Sequence, residues 1–379
     1  MTNNSHAAPS GGVVILAMTQ TEIEVAQAEV WQRLNLLALS AEVTTIVESS
    51  GANSALRFCL HATSAQTLAP ECNTLTLCAR RNLAPIDNAD DLEREIWLSM
   101  LLGAARFEFP SYAELQAAVR IRMNIVTAAR NTTLAFDTEA AERPDCWTYS
   151  EDTGFTIRPG HSLVAALQKA TQPGPSGRCY SFSCYRATEY VMLLGIAQEL
   201  EHRNPALYDQ LQTHWQQRAI MSGQFHDVFL REYGSMSAPL PPKYYVPGDR
   251  LWFRNPDAHS SDVTGYEGSW VIYLGNGEFT NFWKRDQPYT LTSKCVELYH
   301  WRHATYRDDA GELQMDEQIV EQRVQASLQD AAEVEQILAT MLKLREGKGI
   351  YRNGGCIDTS REYPRWVCPA TSDLLLPAL

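Results

Sequence analysis

Arg178-Cys179-Tyr180-Ser181-Phe182-Ser183-Cys184-Tyr185-Arg186-Ala187-Thr188-Glu189-Tyr190 changes character in its middle. Just before it, Pro173-Gly174-Pro175-Ser176-Gly177 breaks any preceding helix. From Cys184 onward, Ala187, Val191, Leu194 and Gly195 fall on one helical face, and Asn204-Pro205 ends the run. The spacing predicts a buried helix that opens at Cys184. A helix start offers free backbone N–H groups and a partial positive charge, which favour thiolate over thiol. A thiolate there is a nucleophile, and the flanking amides can hold an oxyanion. The same position also suits a small, inert core thiol.

Working outward, Gly248-Asp249-Arg250-Leu251-Trp252-Phe253 alternates like a strand leaving a turn. Trp270 to Gly275, then Asn276-Gly277, then Glu278 to Trp283 reads as a hairpin, because Asn-Gly suits the type I′ turn between twisted strands. A two-residue turn pairs Tyr273 with Thr280 and Val271 with Phe282. Upstream, Ser111 is placed to cap a helix running to about Arg130, with Leu115, Val119, Met123 and Val126 on one face. Trp147 to Tyr149 and Phe155 to Ile157 read as two short strands, and Ser162 to Thr171 as a short helix. The first hundred residues read as mixed α/β: a strand at Val13 to Leu16, a helix through Ile23, Ala26, Val30, Leu34 and Leu37, a strand at Ala55 to Leu60 and a helix at Leu92 to Leu102. Near the other end the pattern predicts one long helix from Glu317 to Leu344, with Gly347 placed to end it, and then an irregular tail.

The chain has 379 residues, enough for about two domains and a full core. Its net charge of −13 argues against a nucleic-acid partner, since an acidic surface repels phosphate backbones. Nine cysteines cannot all pair within one chain, and none of the close pairs has the C-x-x-C spacing of a zinc site. No Lys or Arg precedes Arg33, and the early apolar run Val13 to Met18 is too short for a signal peptide. No run of about 20 apolar residues suggests a membrane span. The expectation is a reduced, cytoplasmic protein with no membrane association, with delivery by a machine that reads no N-terminal peptide left open. His300 and His303, three residues apart, could form a metal pair or be ordinary polar residues at an element's edge. Gly275-Asn276-Gly277 lacks the third glycine of a phosphate-binding fingerprint, and no Gly-x-Ser-x-Gly of an α/β-hydrolase occurs.

A further set of strings runs in a fixed order. Phe109-Pro110-Ser111-Tyr112-Ala113-Glu114-Leu115 and Ile121-Arg122-Met123-Asn124-Ile125-Val126-Thr127-Ala128-Ala129 come first. Cys179 to Cys184 follows, then Gly248-Asp249-Arg250-Leu251-Trp252-Phe253-Arg254-Asn255-Pro256, then Gly268-Ser269-Trp270-Val271-Ile272-Tyr273-Leu274-Gly275. Over roughly Arg106 to Ala304 the chain resembles the bacterial protein-glutamine γ-glutamyltransferases of the spore-coat type. The resemblance implies an α+β fold with a papain-like (NlpC/P60-type) cysteine-enzyme core at 106–310. Around it stand an N-terminal α/β extension at 1–105 and a C-terminal helical region with a tail at 311–379. It implies that Cys184 attacks a glutamine side-chain amide, releases ammonia, forms a thioester and passes the acyl group to a lysine amine. Its implied partners are protein substrates, a glutamine donor and a lysine or other amine acceptor, with no metal or cofactor. The family pattern has a Glu at the positions of Ser183 and Ser269, and a His at a slot that falls on Asn281 or Phe282. Glu267, two residues before Ser269 and so on the same strand face, is the expected replacement carboxylate, with Asn281 orienting it. The alternatives are a glutamine deamidase or other papain-like cysteine hydrolase with water as acceptor, and a non-catalytic binding protein that keeps the fold.

Overall fold

Residues 11–17, 19–50, 53–136, 142–346 and 354–379 are described in the structure, a computed structural model. Two long helices form its centre, Tyr112–Asn131 and Cys184–Arg203. Each begins on a serine cap: Ser111 Oγ accepts from the Glu114 N–H at 3.2 Å, and Ser183 Oγ from the Arg186 N–H at 3.3 Å. The helices approach closely at Gly195, where an added Cβ would lie 2.5 Å from Ile125 Cγ1. The missing side chain lets the backbones meet, and Asn124 Nδ2 donates across to the Gly195 carbonyl at 3.4 Å.

Against the Cys184 helix packs a six-stranded sheet. Its order is Tyr289–Thr290, Glu278–Phe279, Gly268–Gly275, Arg250–Arg254, Ser360–Pro364, Leu230–Gly234, with every pairing antiparallel. Val191, Leu194, Ile272, Leu274 and Phe282 share one buried apolar cluster between helix and sheet. A second sheet has the order Val43–Ser50, Asn53–Leu60, Gly12–Ala17, Arg106–Phe109. Its first three strands pair antiparallel, and Arg106–Phe109 adds in parallel beside Gly12–Ala17. Val13, Ile15, Leu56 and Phe58 are buried with Ile23, Val30 and Leu34 from the Gln20–Leu36 helix. That core also takes in Leu115 and Val126 of the first central helix, and Tyr244 and Val246 from far along the chain.

The two motif strings meet in this region. Arg122 Nη1 lies 2.7 Å from Asp249 Oδ1, and both side chains are almost fully buried. Asp249 also accepts from the Val246 N–H at 2.7 Å and from the Tyr233 hydroxyl. Gly248, at φ +85°, brings its backbone against Arg122, where an added Cβ would lie 3.0 Å from the Arg122 Cα. The Arg-Met-Asn-Ile-Val and Gly-Asp-x-Leu strings are thus the two halves of one buried ion pair. It fixes the strand Arg250–Arg254 relative to the central helices.

Three expectations need correction. The hairpin turn is as read, with Asn276 at φ 54° and Gly277 at φ 76°. Its register is not: Gly275 opposes Glu278 and Tyr273 opposes Phe279, with a bulge between. At the bulge the carboxylate of Glu95 accepts from the Asn276 N–H at 2.9 Å and from the Tyr273 hydroxyl at 3.1 Å, pinning the turn from outside the hairpin. Phe282 lies beyond the paired strand Glu278–Phe279 and is buried in the core. The long C-terminal helix is two helices, Glu317–Ser327 and Ala331–Met341. Asp330 starts the second by accepting from the N–H groups of Ala332 and Glu333 at 2.9 and 3.2 Å. Gly347, the expected terminator, lies outside the described residues. The tail is not irregular throughout: Ser360–Pro364 lies between two other strands of the six-stranded sheet. Among the described residues no helix is long and apolar enough to cross a membrane.

Candidate active site

Cys184 is the first residue of its helix, and its cap holds the chain so that the thiol points away from the helix toward the strand Gly268–Gly275. Two cavities meet at it. One, of about 310 Å³, is bordered by Cys184, Ser269, Asn281, Trp283 and Lys294, with Glu317 and Glu321 from the first C-terminal helix. The other, of about 240 Å³, is bordered by Cys184, Tyr185, Trp252, Glu267 and Trp270. The second has an aromatic wall. Trp270 stacks on Trp252 at 6.0 Å between ring centroids and meets Tyr185 edge-on at 5.2 Å. The Arg250 guanidinium lies 4.0 Å over Trp270 and 4.6 Å over Tyr185. Thr188 Oγ1 holds Arg250 at 2.8 Å, and Glu362 of the tail strand pairs with it. His226 in turn lies 2.9 Å from Glu362.

The sequence reading expected a lowered thiol. Instead, burial pushes the Cys184 thiol up. Working against burial are the backbone N–H of Trp270, the charge of Lys294, the backbone N–H of Tyr185 and the charge of Arg250. Desolvation outweighs them in the resting protein. The same amides and cations would favour negative charge on sulfur or on an attached oxyanion once a substrate is in place.

Glu267 is exposed and borders the aromatic cavity. Its carbonyl accepts from the Asn255 N–H at 3.1 Å, and Asn255 Nδ2 donates to Ser260 Oγ and to the Tyr266 carbonyl, each at 2.9 Å. The Asn-Pro end of the motif string thus shapes the loop that carries Glu267. Asn281 borders the other cavity. Its side-chain amide closes its own turn, donating to the Gln287 carbonyl at 3.0 Å and accepting from the Lys284 N–H at 3.2 Å. Cys184 is therefore shared by both cavities, whereas Glu267 and Asn281 border different ones. Ser183 is occupied as the helix cap, and Ser269 is buried beside Cys184 in the first cavity.

Sequence reasoning missed Lys294. Its side chain is 3% exposed, with Nζ 2.6 Å from Glu297 Oε2 and 3.9 Å from the Tyr289 ring centre. Tyr289 donates its hydroxyl to Glu297 Oε1 at 2.9 Å. The available signal was the Thr290–Ser293 capping box followed by a Lys–Glu pair three residues apart, a pattern equally common on solvated helices. His300 and His303 sit at the far end of this helix, with Nδ1 atoms 3.2 Å apart, and His300 Nε2 lies 2.7 Å from Ser327 Oγ. Burial lowers His300 to about 4, so it is neutral near pH 7. Among the described residues no group of three or more candidate ligands gathers around a common metal position.

The family model described as protein-glutamine gamma-glutamyltransferase matches residues 77–347. The protein-glutamine gamma-glutamyltransferase of Halalkalibacterium halodurans is 25% identical over 193 residues, which is 50% of this chain and 62% of that one. A solved transglutaminase from Geobacillus stearothermophilus, without its C-terminal extension, aligns with 57% of this chain and 98% of its own. Its TM-score is 0.39 and its sequence identity 22%. The matched segment is well over half of the chain and contains Cys184, both halves of the buried ion pair and the walls of both cavities. By that match, the chain belongs to the protein-glutamine gamma-glutamyltransferase family.

Proposed function

We propose that the protein is an acyltransferase in which Cys184 attacks the side-chain amide of a protein-bound glutamine. The sulfur–carbon bond forms, the carbon–nitrogen bond breaks, and ammonia leaves. A lysine amine then attacks the thioester, giving an isopeptide cross-link and returning the thiol. The observation that carries this reading is Cys184 at a helix start where two differently lined cavities meet. A two-substrate reaction needs two approaches to one sulfur. The aromatic wall of Tyr185, Trp252 and Trp270 suits the neutral aliphatic stem and planar amide of a glutamine. The other cavity is lined by Glu297, Glu317 and Glu321 with Lys294 and Lys284. With Glu297 paired to Lys294 and Glu321 to Lys284, it keeps one net negative charge, at Glu317, to draw a cationic amine. The N–H groups of Trp270 and Tyr185 are the candidate oxyanion donors. A cysteine helix packed against an antiparallel sheet supports the papain-like reading of the core. The position of Glu267 on the border of the aromatic cavity supports a role in orienting the incoming amide. Asn281, fixed in its turn, shapes the amine side.

The test is incubation with a glutamine-containing peptide and a labelled primary alkylamine. The expected result is amine incorporation into the peptide, abolished by Cys184→Ala. Ammonia release without incorporation identifies a deamidase instead. Neither product, with binding of the peptide retained in Cys184→Ala, identifies a binding protein.

A further inference from the structure

Thioester formation moves the thiol proton onto the departing nitrogen, so a group beside Cys184 must pass it. Neither Ser183, next to it in sequence, nor Asn281, on the border of the same cavity, offers one, because Ser183 is occupied as a helix cap and Asn281 in its turn. The cavity shared by Cys184, Ser269 and Asn281 holds five other charged groups: Lys284, Lys294, Glu297, Glu317 and Glu321. Lys284 and Glu321 pair with each other at 2.8 Å and are about half exposed, at 49% and 58%. Glu317 accepts from the Tyr266 hydroxyl at 2.7 Å. Lys294 differs from these: it is buried at 3% exposure, yet it borders the cavity that Cys184 borders. Burying an ammonium is expensive unless it is paired. Here Glu297 Oε2 at 2.6 Å and the face of Tyr289 at 3.9 Å hold it, and Tyr289 fixes the second Glu297 oxygen.

We propose that the Lys294–Glu297 pair, oriented by Tyr289, is the charge and proton partner of Cys184. The proposal rests on the reading of Cys184 as the acyl-accepting nucleophile. In the forward step the thiol proton passes to the Glu297 carboxylate as the sulfur–carbon bond forms. Lys294 gives a proton to the amide nitrogen as the carbon–nitrogen bond breaks, and Glu297 returns its proton to Lys294. The net transfer is one proton from sulfur to ammonia. The Lys294 charge also opposes the effect of burial on the thiol, together with Arg250 and the Trp270 amide. The charged or titratable groups around Lys294 include Glu297 and Cys295 on its own helix, Tyr289 on the preceding strand, Lys284 in the adjoining turn, Glu317 and Glu321 on the facing helix, Cys356 from the tail, and Cys184.

The test compares wild type, Lys294→Met, Lys294→Arg and Glu297→Gln by two readouts, the pH dependence of Cys184 alkylation by iodoacetamide and the steady-state rate of acyl transfer. Lys294→Met should move the alkylation midpoint upward by about one pH unit and slow labelling about tenfold near pH 8. It should lower kcat by about 100-fold or more with little change in KM for the glutamine peptide. Lys294→Arg should restore the alkylation midpoint but not the full kcat. Glu297→Gln keeps the lysine and should still lower kcat. An unchanged midpoint and kcat in Lys294→Met overturns the proposal. If that variant does not fold, an unchanged kcat in Glu297→Gln overturns it. Should wild type form no thioester while Lys294→Met still shifts the midpoint, the acyltransfer reading fails and the charge coupling to Cys184 stands.

Discussion

At Cys184, burial and local charge pull in opposite directions, and burial is the larger influence. Alkylation of the wild-type thiol should therefore rise with pH to a midpoint above the ordinary cysteine value of about 8.5. Mass spectrometry of Cys184 after timed iodoacetamide exposure measures this, and a midpoint below about 7 would show that the helix amides dominate. Glu95 is the second residue whose protonation matters. Burial raises its carboxyl to about 7, although Cys78, the Asn276 N–H and the Tyr273 hydroxyl all oppose that. Its folded value thus exceeds the unfolded one of about 4.3, so the folded state binds the proton more tightly. The stability this gives is fully present below about pH 4.3 and is lost as pH rises through about 7. It amounts to roughly 4 kcal/mol over the whole window. Glu95→Gln should flatten this dependence. Denaturant melts of both proteins at about pH 5 and about pH 8 check it, and parallel pH slopes would contradict it.

At the scale of elements, the contact between the central helices depends on a glycine and that of the motif strings on an ion pair. A methyl group at Gly195 meets Ile125 Cγ1 at 2.5 Å and the Ile125 backbone nitrogen at 2.9 Å. Gly195→Ala should cost about 1–3 kcal/mol by forcing the helices apart, read as a lower urea midpoint. Arg122→Met leaves Asp249 buried without its counter-charge and should cost about 3–5 kcal/mol. A melting temperature within about 2 °C of wild type would remove the pair from the account. These elements also show what could be read in the chain. The helix at 112 was legible from its serine cap and the helix at 184 from the Gly/Pro break before it, each followed by strong 3.6-residue periodicity. The hairpin turn was legible because few dipeptides other than Asn-Gly accept its positive φ angles. The register was not legible, since the bulged turn is held by Glu95, nearly half the chain away. The split at Asp330 was masked by apolar spacing that continues across it. Cys184 was legible from its helix start and motif order. Lys294 was not, because a Lys–Glu pair on a helix carries no mark of burial until the rest of the fold surrounds it.

For the whole molecule, the notable feature is how remote segments complete the region around Cys184. The strand Arg106–Phe109 is itself a member of the sheet of the first residues, so that sheet runs past residue 105. The tail supplies Ser360–Pro364 to the interior of the six-stranded sheet, and Glu362 from it holds Arg250 behind the aromatic wall. The segment from 311 also contributes Glu317 to the border of the cavity that Cys184 and Lys294 share. Deleting residues 355–379 should abolish cooperative thermal unfolding, because it opens the sheet and leaves Arg250 buried without its carboxylate. A soluble truncated chain with an unchanged melting temperature would contradict that. The central claim, that Cys184 takes an acyl group from glutamine, is tested most directly by intact mass spectrometry of the protein mixed with a glutamine peptide and no amine. The account predicts an adduct equal to the peptide mass minus ammonia, absent in Cys184→Ala and discharged by added alkylamine. An unmodified mass under all these conditions, or an adduct that survives in Cys184→Ala, would contradict it.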